Sequence, residues 1–131
     1  MEKAIPDIAN ALGQRRKVAL YGELGAGKTA FVQAFCQWLG TTERPDSPTF
    51  SLINEYTYCD AHGQVATVHH LDLYRIQNIE EALDLGIEEL LDDPWYCFIE
   101  WPQIIEPLLP ADSAKLHIRV ISDQERHLIL S

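Results

Sequence analysis

Apolar residues recur first at helical and then at strand spacing along the chain, and this order predicts an α/β fold. Residues 4–13 place apolar side chains one helical turn apart, and Gly13 follows as a stop. Residues 17–21 form a short apolar run typical of a buried strand. Residues 30–39 are again amphipathic at helical spacing and end before Gly40. The apolar face of this second helix is predicted to contain Phe31, Phe35, Trp38 and Leu39.

A loop and a hairpin are predicted next. Residues 41–49 contain two prolines and several small polar residues, which favour a loop. Residues 50–58 and 64–73 have strand patterns, and turn-forming residues separate them at 60–63.

The last part of the chain alternates short helices with strands. Asn78 favours a helix start, and a second short helical turn is predicted over 87–91 after a glycine. Residues 96–99 form another continuous apolar run, and two further strands are predicted at 116–120 and 127–130. No repeat or interdomain linker interrupts the pattern.

Length and charge narrow the class of protein. A chain of 131 residues, of which 47% are apolar, is expected to form a single domain spanning residues 1–131. The formal net charge of −10 argues against broad nucleic-acid binding, which needs clustered Lys and Arg against phosphates. Protein partners, or a compact anion held at one local site, remain open.

Cysteine usage and hydropathy favour a cytoplasmic protein without a membrane span. The three cysteines form no CxxC pair and no short Cys/His ligand pattern, so reduced thiols are expected rather than disulfides or a zinc site. No apolar run approaches the roughly 20 residues of a membrane helix, and the basic cluster near the start follows the apolar stretch, the wrong order for a secretory signal.

The string GELGAGKT lies between the first strand and the second helix. It fits the phosphate-binding pattern GxxxxGK[ST], with its glycines, lysine and threonine at Gly22, Gly25, Gly27, Lys28 and Thr29. Such glycines let backbone amides turn inward around an anion at the helix start, where the helix dipole also favours negative charge. The lysine is then expected to reach the β and γ phosphates, and the threonine hydroxyl to reach Mg²⁺. A helix-start turn with an exposed lysine is the alternative, and the flanking strand and helix argue against it.

Two carboxylates stand where a magnesium site is expected. Asp72 lies in VHHLDLYR, and Glu100 follows an apolar run at the carboxyl end of a strand, where open α/β sheets place their ligands. We interpret Glu100 as a site residue. For both Asp72 and Glu100 the alternative is a helix cap or a solvated position at the edge of the sheet. Because His69 and His70 point to opposite faces of a strand, they are not expected to ligate a metal together, and we interpret both as structural or surface histidines.

One aromatic and two basic residues have open interpretations. Trp101 either covers the nucleotide and shields its phosphates, or is partly buried packing. Arg75 and Arg126 are the arginines best placed for a phosphate or base contact, although solvation at the surface is the usual state of a single arginine.

Several segments together resemble the TsaE family, formerly called YjeE, of small bacterial ATPases in tRNA threonylcarbamoyladenosine biosynthesis. They are GELGAGKT, SPTFSL with NEY just after it, and the pair HLDLYR and IEWP. EEALDLGIEELL extends the similarity, which covers roughly residues 5–120. Many families share the phosphate loop, but its combination with the other segments is specific.

The resemblance implies a P-loop α/β fold with a mostly parallel central sheet flanked by helices and with antiparallel hairpin additions. It also implies binding of ATP and Mg²⁺ and a weak intrinsic ATPase that acts with the TsaD and TsaB proteins. Together these proteins place a threonylcarbamoyl group on the adenosine beside the anticodon of tRNAs that read ANN codons. The resemblance further implies that the family member is not the transferase and that its ATP turnover resets the complex between cycles. The chain is therefore expected to contact tRNA only indirectly, through the complex.

The resemblance also assigns residues. It assigns the nucleotide-binding loop to Leu24, Gly25, Ala26, Gly27, Lys28 and Thr29. Thr29 and Glu100 correspond to the magnesium site, and Asp72 to a further acidic position near the metal. Lys28, Glu100 and Asp72 are the residues expected to carry the catalysis.

Further correspondences concern the rest of the site. Trp101 matches an aromatic beside the catalytic glutamate, and Arg126 matches a late arginine that approaches the nucleotide, although that stretch aligns poorly. A switch-like loop is assigned to Ser47, Pro48, Thr49 and Phe50. Relatives commonly have more residues before the first helix, which help to close over the nucleotide, so base recognition is expected to be incomplete or built differently here. Relatives also often continue after the last strand.

Slow intrinsic hydrolysis is expected because the loop regions show no arginine finger. A partner could raise the rate by ordering residues 41–50 or by supplying a cation. A small P-loop kinase is the main rival, although it usually needs an arginine-rich lid and an acceptor pocket. The second rival is a nucleotide-sensing module without useful hydrolysis, and Glu100 is the residue that separates it from an enzyme.

Overall fold

The computed structural model describes residues 2–42 and 52–131. The expected switch-like segment at residues 47–50 and the beginning of the strand predicted over 50–58 lie outside these ranges. Within them the helices and strands are α1 (Ile5–Leu12), β1 (Lys17–Tyr21), α2 (Lys28–Leu39), β2 (Ile53–Cys59), β3 (Val65–Asp72), α3 (Ile79–Asp84), α4 (Ile87–Asp92), β4 (Tyr96–Glu100), β5 (Ala114–Val120) and β6 (Arg126–Leu130). Short 3₁₀ helices span Glu2–Ala4 and Pro102–Leu108.

The strands form one six-stranded sheet in the order β2-β3-β4-β1-β5-β6. The four central strands β3, β4, β1 and β5 run parallel to one another. β2 and β6 complete the two edges, and each is antiparallel to its neighbour. The fold is therefore the predicted P-loop α/β arrangement, a mostly parallel sheet with antiparallel hairpin additions.

Both faces of β1 and β4 are covered, which explains their continuous apolar sequences, whereas β5 alternates and leaves Lys115, His117 and Arg119 exposed on one face. On one face α1 and α2 pack against the sheet through a cluster that includes Phe31, Phe35 and Phe98. On the other face a second cluster, with Leu71 and Ile99 at its centre, packs against α3, α4 and the 3₁₀ helix Pro102–Leu108. Because successive strand residues alternate between these faces, each strand delivers every second side chain to the side of α2.

Local end signals act where they were predicted. The Asn78 side chain accepts a hydrogen bond from the Glu81 amide at 3.0 Å, which starts α3. Gly40 has a left-handed conformation, with φ of 82°, and ends α2 by donating its amide to the Cys36 carbonyl.

Two features differ from the sequence-based predictions. Trp38 lies at the margin of the predicted apolar face and is 49% exposed, with its ring edge against Phe35. The 3₁₀ helix Pro102–Leu108 was not predicted, since prolines at 102 and 107 disrupt helical hydrogen bonding and leave no 3.6-residue period to detect. In the described ranges, no helix is both long and apolar enough to cross a membrane.

Candidate functional site

The glycine-rich loop connects β1 to α2 at the edge of the sheet where the parallel strands end. A Cβ on Gly22 would lie 2.8 Å from the Ile118 carbonyl oxygen and 3.2 Å from the Ala26 Cβ. Only glycine therefore lets the loop leave β1 so close to β5. Gly27 has φ of 109° and precedes the first residue of α2, a backbone geometry that side chains rarely permit.

Backbone amides at the start of α2 supply donors for an anion. The amides of Lys28, Thr29 and Ala30 belong to the first turn of a helix and have no acceptor within it. The helix dipole adds partial positive charge at the same place. By contrast, the Ala26 amide donates to the Glu23 carbonyl at 2.9 Å and is turned into the loop. Leu24 is 74% exposed, so its side chain is not packed against the site.

Lys28 is held inside the site in the structure. Its side chain is buried, and Nζ donates to the Gly22 carbonyl at 2.8 Å. The same ammonium lies 3.3 Å from the centroid of the Trp101 ring, in a cation–π contact. Burial lowers the pKa of Lys28, and the nearby carboxylates of Glu100 and Asp72 oppose that shift.

Glu100 ends β4 as a buried carboxyl group with two hydrogen-bond partners. Its Oε2 atom accepts from the Thr29 hydroxyl at 2.7 Å. The same oxygen lies 2.5 Å from Nε2 of His70, a side chain that is 1% exposed. Threonine, glutamate and histidine thus form one connected group below the loop, which we call the Thr29–Glu100–His70 cluster.

Asp72 lies beside Glu100 on the neighbouring strand. The two residues are paired in the β3–β4 register, and alternation puts both side chains on the face of α2. Asp72 Oδ1 accepts from the Tyr74 amide at 3.0 Å, which turns the chain at the end of β3. Two adjacent carboxylates repel each other unless a cation lies near, and Lys28 is the nearby ammonium.

Trp101 has a backbone conformation that is uncommon for a non-glycine residue, with φ of 57°. The turn at this residue places its indole under Lys28, with the Tyr74 ring 5.1 Å away between centroids. The side chain is only partly buried. Trp101 is therefore partly buried packing against Tyr74 and also contacts Lys28, whereas its role as a cover over a nucleotide stays a prediction.

Arg126 begins β6 and contacts the phosphate loop from behind. Its Nε donates to the Ala26 carbonyl at 3.0 Å, and Nη1 donates to the carbonyls of Ser122 and Glu125. Arg126 and Gly27 line a cavity of about 790 Å³ between α1 and the β5–β6 turn. Arg75, the other arginine considered from the sequence, is exposed.

The oxygen ligands present suit a nucleotide-bound Mg²⁺. Among the described residues, no group of three or more His, Cys, Asp or Glu side chains could hold a metal ion alone. Mg²⁺ in nucleotide sites needs no such group, because it uses one or two carboxylates, a hydroxyl and substrate phosphates. Thr29 and Glu100, with Asp72 alongside, offer such a partial set.

His70 is the site residue that sequence reasoning missed. Both His69 and His70 are buried, so the surface interpretation was wrong for each. Their opposite orientations were predicted correctly: His69 contacts Glu55 and Asp93, whereas His70 contacts Glu100. The available signal was the two-residue spacing of His70 and Asp72, which places both on one face of β3.

The chain matches one family model over almost its whole length. The model described as "Threonylcarbamoyl adenosine biosynthesis protein TsaE" matches residues 1–128. A protein from Bacillus subtilis (strain 168) named tRNA threonylcarbamoyladenosine biosynthesis protein TsaE is 36% identical over 127 residues, covering 96% of this chain and 76% of that protein. A protein of the same name from Treponema pallidum (strain Nichols) is 33% identical over 124 residues, covering 95% of this chain and 87% of that protein.

A solved structure has the same fold. The crystal structure of Bacillus subtilis YdiB superposes with a TM-score of 0.69 at 31% sequence identity. The match covers 97% of this chain and 75% of YdiB.

Proposed function

We propose, because the chain belongs to the TsaE family of tRNA threonylcarbamoyladenosine biosynthesis proteins, that it binds ATP with Mg²⁺ and hydrolyses it slowly in support of that modification. The single observation that carries the proposal is the Thr29–Glu100–His70 cluster directly below the glycine-rich loop. A hydroxyl and a buried carboxylate at this position suit a nucleotide-bound Mg²⁺. A helix-start turn with no ligand would have no need of a buried carboxylate there.

Each part of the triphosphate has a candidate partner. Lys28 and the amides at the start of α2 neutralise the phosphates. Thr29, Glu100 and Asp72 would hold Mg²⁺, directly or through water. When bound, the metal supplies positive charge against the negative charge that develops on the transferred phosphoryl group. The 790 Å³ cavity beside Gly27 and Arg126 has room for a base and ribose.

Slow intrinsic turnover is supported by the state of Arg126, the arginine that, among the described residues, donates to the loop carbonyl of Ala26. Arg126 is bound to three main-chain carbonyls, so its guanidinium is committed to the fold and does not reach toward a γ-phosphate as an arginine finger would. We therefore propose that the TsaD and TsaB proteins stimulate hydrolysis. Because the chain has a net charge of −10 and would repel the tRNA phosphates, it contacts tRNA indirectly, through that complex. A role in tRNA modification also agrees with the cytoplasmic location expected from the sequence.

The decisive experiment compares ATP binding and ATP turnover in the unaltered chain and in Glu100→Gln. We expect the variant to bind ATP but to lose turnover by about 100-fold or more, because a charge that acts in the transition state is removed. Glu89→Gln, on the exposed surface of α4, is the matched control and should behave like the unaltered chain. Undiminished turnover in Glu100→Gln would contradict the enzymatic role and favour a nucleotide sensor.

Three further measurements test the proposed partners and the product. Turnover is measured with the chain alone and with TsaD and TsaB added, and copurification of the three proteins is tested with and without ATP. Equal rates with and without the partners would count against stimulation. The product assay with candidate nucleosides separates an ATPase, which releases free phosphate, from a kinase, which yields a phosphorylated acceptor.

A further inference from the structure

We propose that His70 is a positioning residue: its Nε2–H holds the Glu100 carboxylate in the orientation in which the carboxylate serves Mg²⁺ and Thr29. The inference rests on the proposed function of Glu100. It adds that this function depends on His70, a residue of β3.

A carboxylate that serves Mg²⁺ must be ionised, and this state determines which groups donate to it. Oε2 of Glu100 lies 2.7 Å from the Thr29 hydroxyl and 2.5 Å from His70 Nε2. An ionised carboxylate only accepts hydrogen bonds, so both neighbours must donate, and the imidazole must carry its hydrogen on Nε2. One oxygen is therefore fixed from two directions, by the helix that carries the phosphate loop and by the adjacent strand.

Burial makes the histidine bond consequential. His70 is 1% exposed and Glu100 is 4% exposed, so water cannot readily replace a lost donor. A buried carboxylate that loses a donor adopts another side-chain orientation, because it is no longer fixed from β3. Glu100 would then move away from Thr29. Removing such an outer partner of a metal-ligating group typically lowers metal affinity or activity about 10–100-fold.

The preceding residue provides a matched control. His69 is the same residue type on the same strand and is 6% exposed, but it points to the opposite face. It lies 3.2 Å from a Glu55 oxygen and 3.8 Å from an Asp93 oxygen, away from the phosphate loop. Substitution of His69 reports the general cost of altering a buried histidine of β3.

The test compares His70→Gln with His70→Met, which have the same length and differ in the presence of an amide donor. The dissociation constant for ATP is measured by calorimetry in Mg²⁺ and again in EDTA, and their ratio gives the gain in affinity due to the metal. We expect His70→Met to lower that gain about 10–100-fold while affinity in EDTA stays within about twofold. His70→Gln should restore most of the gain, and His69→Met should leave it unchanged.

Three outcomes would overturn the inference. The first is a folded His70→Met protein in which Mg²⁺ raises the affinity for ATP as much as it does in the unaltered chain. The second is an equal loss in the Gln and Met variants, because the hydrogen bond would then be irrelevant. The third, absence of any metal gain in the unaltered chain, would remove the proposed function as well. If His70→Met does not fold, His70→Asn takes its place, since its amide is one methylene too short to reach Oε2 and should also lose the gain.

Discussion

Lys28 connects the phosphate loop to the end of β4. Its ammonium makes a hydrogen bond to the Gly22 carbonyl and a contact with the Trp101 ring. A buried cation–π contact contributes about 2 kcal/mol, whereas charge-assisted hydrogen bonds to phosphate contribute about 1.5–3 kcal/mol each. Several phosphate bonds therefore outweigh the contacts seen here, and we expect a nucleotide to draw Lys28 off the indole.

Trp101 emission should report that exchange. Titration with Mg²⁺ and ATP should change the tryptophan emission of the unaltered chain, because the ammonium leaves the indole face. Half-saturation should match the dissociation constant from calorimetry. Trp101→Phe, in which Trp38 and Trp95 remain, should bind nucleotide but lose the signal; an emission change of the same size in this variant would contradict the expected movement.

Tyr21 ties β1 to the 3₁₀ helix Pro102–Leu108 through a 2.7 Å hydrogen bond to Glu106. Burial, followed by that bond and the Glu106 charge, raises the pKa of Tyr21 from 10.0 to about 12. Below pH 10 the phenol is protonated in the folded and the unfolded chain, so its contribution to stability is fully present. As the pH rises toward 12, the unfolded chain loses the proton first and the contribution is lost.

Stability measurements with Tyr21→Phe should show this dependence. The free energy of unfolding is measured by urea titration at pH 8, 10 and 11 for both proteins. We expect the difference between them to be largest at pH 8 and to shrink at pH 11. Glu106→Gln keeps a hydrogen-bond acceptor but removes the charge. In this variant the contribution of Tyr21 to the free energy of unfolding should therefore decline less between pH 8 and pH 11. A difference that grows with pH would contradict the assignment.

At the scale of elements, α2 presents the site and is fixed by an aromatic cluster. Phe35 lies 5.1 Å from Tyr96 and 4.9 Å from Phe98 between ring centroids, and it is fully buried. These contacts anchor the helix on β4, the strand that also carries Glu100. The packing of α2 and the placement of the Thr29–Glu100–His70 cluster therefore depend on the same two elements, α2 and β4.

Phe35→Ala should lower the free energy of unfolding by about 3–5 kcal/mol, because it leaves a cavity between α2 and the sheet. Chemical denaturation measures the change. Val65→Thr, at a position that is 69% exposed, is the control and should stay within about 0.5 kcal/mol. A loss below about 1 kcal/mol in Phe35→Ala would show that the cluster does not anchor the helix.

At the scale of the whole molecule, the proposed nucleotide would bridge parts that are distant in sequence. The phosphate loop follows β1, Glu100 ends β4, and Arg126 begins β6 beside the cavity. A ligand that contacts all three stabilises the folded chain in proportion to its affinity.

Thermal unfolding tests this linkage. Mg²⁺ and ATP at about 100 times the dissociation constant should stabilise the chain by about 2.7 kcal/mol, which corresponds to a rise in Tm of about 10 °C for a domain of this size. Lys28→Ala at the same ATP concentration should lose most of that rise. Lys115→Ala, at an exposed position of β5, should keep it. An equal rise in Lys28→Ala would place the nucleotide elsewhere.

The sequence by itself determined the local features of this protein. Helical spacing, the Asn78 cap, the Gly40 stop and the glycines around Lys28 are relations between neighbouring residues, so they can be read along the chain. The order strand, glycine-rich loop, helix belongs to the same class.

Only the tertiary structure decided which side chains meet. His70 and Glu100 are 30 residues apart, and the parallel register of β3 and β4 brings them together. Arg126 and Ala26 are 100 residues apart and meet because β5 and β6 fold back on the phosphate loop. Strand order and register depend on packing across the whole sheet, which no local pattern encodes.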